Sequence, residues 1–124
     1  MSFSEMLTVS GPYGQYTVEA IVDPNATYTS IPTPALVEMG ISPVRVVRVK
    51  STDGEVRFAQ LGRALTTVAG QEDVGPVVFS ERGTPAVIGH VTLALLLLEV
   101  DEEQQKLVLV EAVGHAPMTE SLRE

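Results

Sequence analysis

The sequence predicts a mainly β domain, folded as a small closed or partly closed barrel with two short helices. Three observations carry that expectation. Apolar residues recur in short runs, several of them with a period of two; Gly, Pro and Asp-Gly punctuate the runs; and only two stretches carry helix signals. About eight short strands result, so long-range strand pairing must dominate the fold.

In chain order, MLTVSG and QYTVEAIVD are separated by GPYG, a Gly/Pro connection that predicts a hairpin. In the second run Tyr16, Val18 and Ala20 alternate with polar neighbours, and then Ile21 and Val22 stand together. That loss of alternation predicts burial on both faces just before Asp23. Asp23, Pro24 and Asn25 suit successive corners of a type I turn: Asp at the first, Pro fixing φ at the second, Asn tolerated at the third. TPALVEMG then carries a helix signature, since Thr33 can cap, Pro34 fits the first helical position and Gly40 can close the end.

PVRVVRVK and EVRFAQLG flank STDG, whose Asp53-Gly54 pair is a strong hairpin-turn signal. ALTTVAG and VGPVVF form a further pair of strands around Gln71–Asp73. TPAVIG is a strand that ends at Gly89, where the chain must turn sharply or come close to another backbone. HVTLALLLLEV reads as a mostly buried helix, and EVD, the polar turn EEQQK and LVLVEAV close the domain as a hairpin. One domain is expected over 1–124, with its core over about 6–112 and a flexible tail at 114–124.

At 124 residues and 44 % apolar content the chain can bury a core, but only one. A net charge of −8 opposes binding to nucleic acid or to an anionic membrane, because phosphates would be repelled. The absence of cysteine excludes disulfides, thiolate catalysis and sulfur-ligated metals. MSFSEML has neither the basic start nor the apolar core of a signal peptide, and LALLLL at 93–98 is far below the ~20 residues of a membrane span. A soluble, cytoplasmic protein with no membrane or nucleic-acid partner is therefore expected. His90 and His115 lack the spacing of a metal pair, and Asp101, Glu102 and Glu103 read as a solvated acidic turn. The glycines form no phosphate loop, so no metal and no cofactor is expected.

IVDPNATYTSIP at 21–32 places an apolar pair before Asp23 and a tight turn. STDGEV then supplies a glycine-tipped hairpin, AGQEDVGPVVF a further hairpin, and Val87, Ile88 and Gly89 end a strand that leads into a helix. This order, over roughly residues 6 to 112, resembles the retropepsin-like (retroviral-type) aspartic proteases, and more closely their small prokaryotic single-lobe relatives. The resemblance implies an acid-protease barrel with Asp23 as catalytic residue and Pro24, Asn25 and Ala26 in the active-site turn. It places Thr52, Asp53 and Gly54 at the flap that covers substrate, and Val87, Ile88 and Gly89 at the second family motif.

That family needs two copies of the Asp turn, and this chain has one, so the resemblance implies a homodimer with the site on its two-fold axis. Two neighbouring carboxylates cannot both ionise cheaply and share a proton. One can then activate water while the other protonates the carbonyl of an extended peptide or protein substrate. Where the family shows Thr or Ser followed by Gly, this chain has Pro24 and Asn25. Proline supplies neither hydroxyl nor N–H, and the Asn25 side chain takes up room beside the site. Two outcomes stay open: an aspartic endopeptidase, or an inactive dimer of the same fold that binds extended peptides or serves as a scaffold.

Overall fold

A computed structural model describes residues 3–51 and 53–111. Thr52, His115 and the expected tail at 114–124 lie outside the described residues. The chain opens with a hairpin in which β1 (Phe3–Gly11) and β2 (Gly14–Val22) pair antiparallel from Phe3↔Val22 to Gly11↔Gly14. Pro12 and Tyr13 alone connect them. Leu7 and Val9 of β1 and Ala20 and Val22 of β2 are buried, so the apolar period of two is realised as one inward face.

After residues 23–28 comes β3 (Thr29–Pro32), a strand that the sequence reading does not anticipate because it is short and ends in proline. It runs directly into α1 (Thr33–Glu38) with Pro32 at the N-cap. Thr33 does not cap the helix as expected. Its hydroxyl instead donates to the Ser80 carbonyl at 2.8 Å, tying α1 to a distant strand. Gly40 does close the helix: it has φ of 80°, and the amides of Gly40 and Ile41 donate back to the Val37 and Leu36 carbonyls at 3.0 Å.

β4 (Pro43–Lys50) pairs antiparallel with β5 (Val56–Val68), and β5 with β6 (Gln71–Ser80). EVRFAQLG and ALTTVAG, expected as two strands, are one continuous strand of 13 residues. The β5–β6 turn also falls earlier than expected. Val68 pairs directly with Gln71 around Ala69 and Gly70, which have φ of 49° and 79°, so Gln71–Asp73 belong to β6. TPAVIG contributes only the two-residue β7 (Val87–Ile88). HVTLALLLLEV is likewise divided: α2 (His90–Leu95) ends early, Leu97 reverses the chain at φ of 59°, and β8 (Leu98–Asp101) pairs with β9 (Lys106–Leu109).

Among the described residues the fold is mainly β with two short helices. Its main sheet has the order β1-β2-β7-β3-β6-β5-β4, and the far half of β5 returns to β1, from Leu7↔Val68 to Ser10↔Leu65. The pairings therefore run in a circuit, with β4 outside it. Strand residues Leu7, Val9, Val22, Ile31, Val77 and Ile88 form one core with Leu36 of α1 and Leu93 of α2. Each such aliphatic side chain contributes about 1.5–3 kcal/mol by leaving water.

Candidate functional site

Asp23 stands at the end of β2, where that strand runs parallel to β7 through Ile21↔Val87 and Val22↔Ile88. The Asp23 amide donates to the Ile88 carbonyl at 3.0 Å, carrying the ladder one residue past the strand. On its other side β7 pairs antiparallel with β3 at Ser30↔Val87. The short apolar segment before Gly89 is thus threaded between two strands that the Asp23 loop joins. Asp23 is fixed by these neighbours and partly buried, while Pro24 and Asn25 are exposed.

The turn is built as its residue chemistry suggests. The Ala26 amide donates to the Asp23 carbonyl at 3.1 Å, and the Asn25 amide donates to Asp23 Oδ1 at 3.0 Å. Pro24 sits where no amide is called upon. The described non-glycine residues with positive φ are Ala69, Leu97 and Gln105, so Asn25 keeps an ordinary backbone and the turn is not of type II. One carboxylate oxygen is held by an amide.

The loop is anchored from beneath by the start of α2. The first amides of a helix lack intrahelical acceptors, and here His90 donates to the Ala26 carbonyl at 2.7 Å and Val91 to the Thr27 carbonyl at 2.9 Å. Gly89 makes that approach possible. A Cβ there would lie 2.5 Å from the Tyr28 carbonyl carbon and oxygen and 3.0 Å from the Ala26 oxygen. Its φ of −101° is open to any residue, so space and not backbone freedom requires glycine. The Gly89 amide donates to Thr29 Oγ1 at 3.1 Å, and the Thr29 hydroxyl is hydrogen-bonded in turn to that of Thr92, both side chains being buried.

Thr29 and Thr92 escape a reading of the sequence, since they lie 63 residues apart and neither sits in a motif. The available signal is a polar residue at position 29, in step with buried Ile31, and another inside an otherwise apolar helix.

Of the expected flap residues, Thr52 lies outside the described residues, and Asp53 and Gly54 form the tip of the β4–β5 hairpin. Ser51 and Glu55 close it, the Gly54 amide donates to the Ser51 carbonyl at 2.9 Å with φ of 87°, and Asp53 Oδ1 accepts from the Glu55 amide at 3.0 Å. Pairing of β5 with β6 begins only at Leu61, so residues 46–50 and 56–60 leave the sheet as a two-stranded ribbon. The structure brings Asp23, Ala26, Val87, Ile88 and Gly89 together. No hydrogen bond among the described residues joins the ribbon tip to that group.

Asp101 accepts from the Gln104 amide at 3.1 Å in a turn. Among the described residues no group of three His, Cys, Asp or Glu side chains is placed to hold a metal, and no helix is long and apolar enough to cross a membrane. Two open clefts of about 320 and 370 Å³ flank α1, and neither includes Asp23. One oriented, partly buried carboxylate can give or take a proton. Hydrolysis of a peptide by acid–base catalysis alone calls for a second group beside it. No protein-family model matches this chain, and no curated protein matches it.

Proposed function

We propose that the chain is a retropepsin-type aspartic endopeptidase acting as a homodimer, in which Asp23 from each copy forms the catalytic pair. The observation that carries this reading is the Asp23 loop itself: an aspartate at a strand end, an apolar pair threaded beneath it, and a glycine in contact with its backbone. The circuit of strand pairings supports an acid-protease barrel around that loop. In this reading the β4–β5 ribbon, which leaves the sheet beyond Leu61, would serve as the cover for substrate.

The chemistry of this reading calls for a dimer. Each chain offers one aspartate at this place, so the catalytic pair needs a second carboxylate from another copy. In the pair, the ionised carboxylate takes a proton from water as the water oxygen attacks the scissile carbonyl carbon. The protonated partner gives its proton to the carbonyl oxygen. Collapse of the tetrahedral intermediate then breaks the C–N bond, as the carboxyl that took the water's proton gives it to the leaving nitrogen and the other carboxylate takes a proton from the diol. The Asn25 amide holds Asp23 Oδ1 and so orients the carboxylate for this role.

The test is turnover of a diverse peptide library in mild acid. Cleavage that a statine-type transition-state mimic blocks, and that Asp23→Asn abolishes, is the expected result. A pure dimer that cuts nothing would overturn it. Exposure of Pro24, which offers a partner neither hydroxyl nor N–H, favours a second reading. In that reading the same dimer holds extended peptides, or acts as a scaffold, without hydrolysis. Peptide binding that survives Asp23→Ala in a protein with no turnover distinguishes it.

A further inference from the structure

Three of the eight Lys and Arg residues, namely Arg48, Lys50 and Arg57, lie on the β4–β5 ribbon and a fourth, Arg45, lies at its base, in a chain whose net charge is −8. The strand bodies of that ribbon carry no carboxylate; Asp53 and Glu55 sit at its tip. Apolar side chains lie among the cations; Val46 and Phe58 stand in water at 59 % and 72 % exposure, while Val47 and Val49 are half-buried. β4 is also the last strand of the sheet, so among the described residues no strand pairs with its other edge. The other edge of the ribbon is different in kind. There Arg57 faces Glu81 across 3.8 Å, the one ion pair among the described residues. Arg45, Arg48 and Lys50 have no such partner among the described residues.

We infer that the outer edge of β4 is a docking site for an extended acidic peptide segment, which adds to the sheet as a further strand. The unpaired amides and carbonyls of an edge strand are matched best by another extended backbone, and side chains at alternate positions then decide which backbone is accepted. A second copy is the poorer occupant. Antiparallel pairing of β4 with β4 of another molecule in the registers that centre on its end sets Arg48 and Lys50, which share a face, against each other or their own copies, and like charges across a strand pair are destabilising. Charge on an edge discourages unwanted pairing, and charge of a single sign discourages every strand except one of opposite sign. Nucleic acid fits less well, because three cations on an otherwise acidic protein give little attraction for a polyanion and phosphates leave the backbone edge unmatched. This inference goes beyond the peptidase reading and does not rest on Asp23.

The experiment measures binding of a capped peptide that alternates glutamate and valine over the length of β4. It uses the full chain and its Asp23→Asn variant. Equal affinity is expected for both proteins, weakening as salt rises. The lysine–valine counterpart should bind about tenfold more weakly, as should the acidic peptide to a variant carrying Arg45→Gln, Arg48→Gln and Lys50→Gln. All three side chains are exposed, so thermal unfolding of that variant should match the parent. N-methylation of alternate peptide amides, tested in both phases, should abolish binding in one phase and spare it in the other. Several results would overturn the proposal: indifference to charge, indifference to both N-methylated peptides, loss of affinity in Asp23→Asn, tighter binding of an oligothymidine, or a concentration-dependent dimer that forms through β4 and excludes the peptide.

Discussion

Thr29 does two jobs with one hydroxyl: it accepts the Gly89 amide and shares a hydrogen bond with Thr92. Thr29→Val strands both partners in a buried place and should cost about 1–3 kcal/mol. Thr92→Val leaves the Gly89 amide satisfied, so it should cost less. Urea unfolding of the two variants checks the order, and equal costs would mean that the Gly89 bond contributes nothing. Gly89→Ala acts through space instead. Its methyl meets the Tyr28 carbonyl, the loop above must shift, and about 1–3 kcal/mol of stability should be lost in the same assay. The Asp23 turn was legible because Asp, Pro and Asn each act on their own backbone and the next few residues. Gly89 was legible as a close approach for a similar reason, since a glycine in a strand pattern has few other uses. The Thr29–Thr92 pair was not, because nothing local in either segment points to the other.

Among the elements, the β5–β6 hairpin shows how a sequence can understate its own turn. Both connecting residues, Ala69 and Gly70, have positive φ and are flanked by the Val68↔Gln71 pair, the geometry of a type I′ turn. Alanine at the first of these positions gives no signal and carries the steric cost of the left-handed region. Ala69→Asn should therefore stabilise the protein by roughly 0.5–1 kcal/mol, seen as a higher urea midpoint with unchanged slope. No change would mean that the hairpin is set by its strands alone. The Asp53-Gly54 and Gly40 signals were read correctly because the residues match the conformations they adopt. Gly62 misled, because it lies within β5 and is required by closeness to Ser42 O and Ile41 at 3.0 Å, not by a break. The run of leucines at 95–98 misled in another way. Its composition suits a buried helix, yet Leu95 and Leu97 are exposed and the chain turns between Leu96 and Leu98.

For the whole molecule, a mainly β chain with two short helices could be read from period and punctuation. The return of β5 to β1 and the insertion of β3 could not, since register between distant strands is set by the assembled core. The proposed dimer gives the remaining prediction. Pro24→Thr with Asn25→Gly supplies a hydroxyl and an amide at the two-fold contact, each restored hydrogen bond contributing on the order of 1 kcal/mol and occurring twice. The dimer dissociation constant should fall and peptide turnover should rise above the parent. Asn25 needs no glycine-like backbone, so the monomer should lose a few tenths of a kcal/mol, roughly the entropic cost of an added glycine. If neither association nor turnover improves, Asp-Pro-Asn is a turn and no more. Finally, β5 has consequences for motion. Its residues 65–68 are laced between β6 and β1, whereas residues 56–60 are paired to β4 alone. Amide hydrogen exchange should therefore change abruptly within this one strand. Beyond Gly62 the protected amides should exchange only when the whole domain unfolds, while those before it exchange through openings that leave the core untouched. The ribbon could then swing on a molecule that otherwise stays shut.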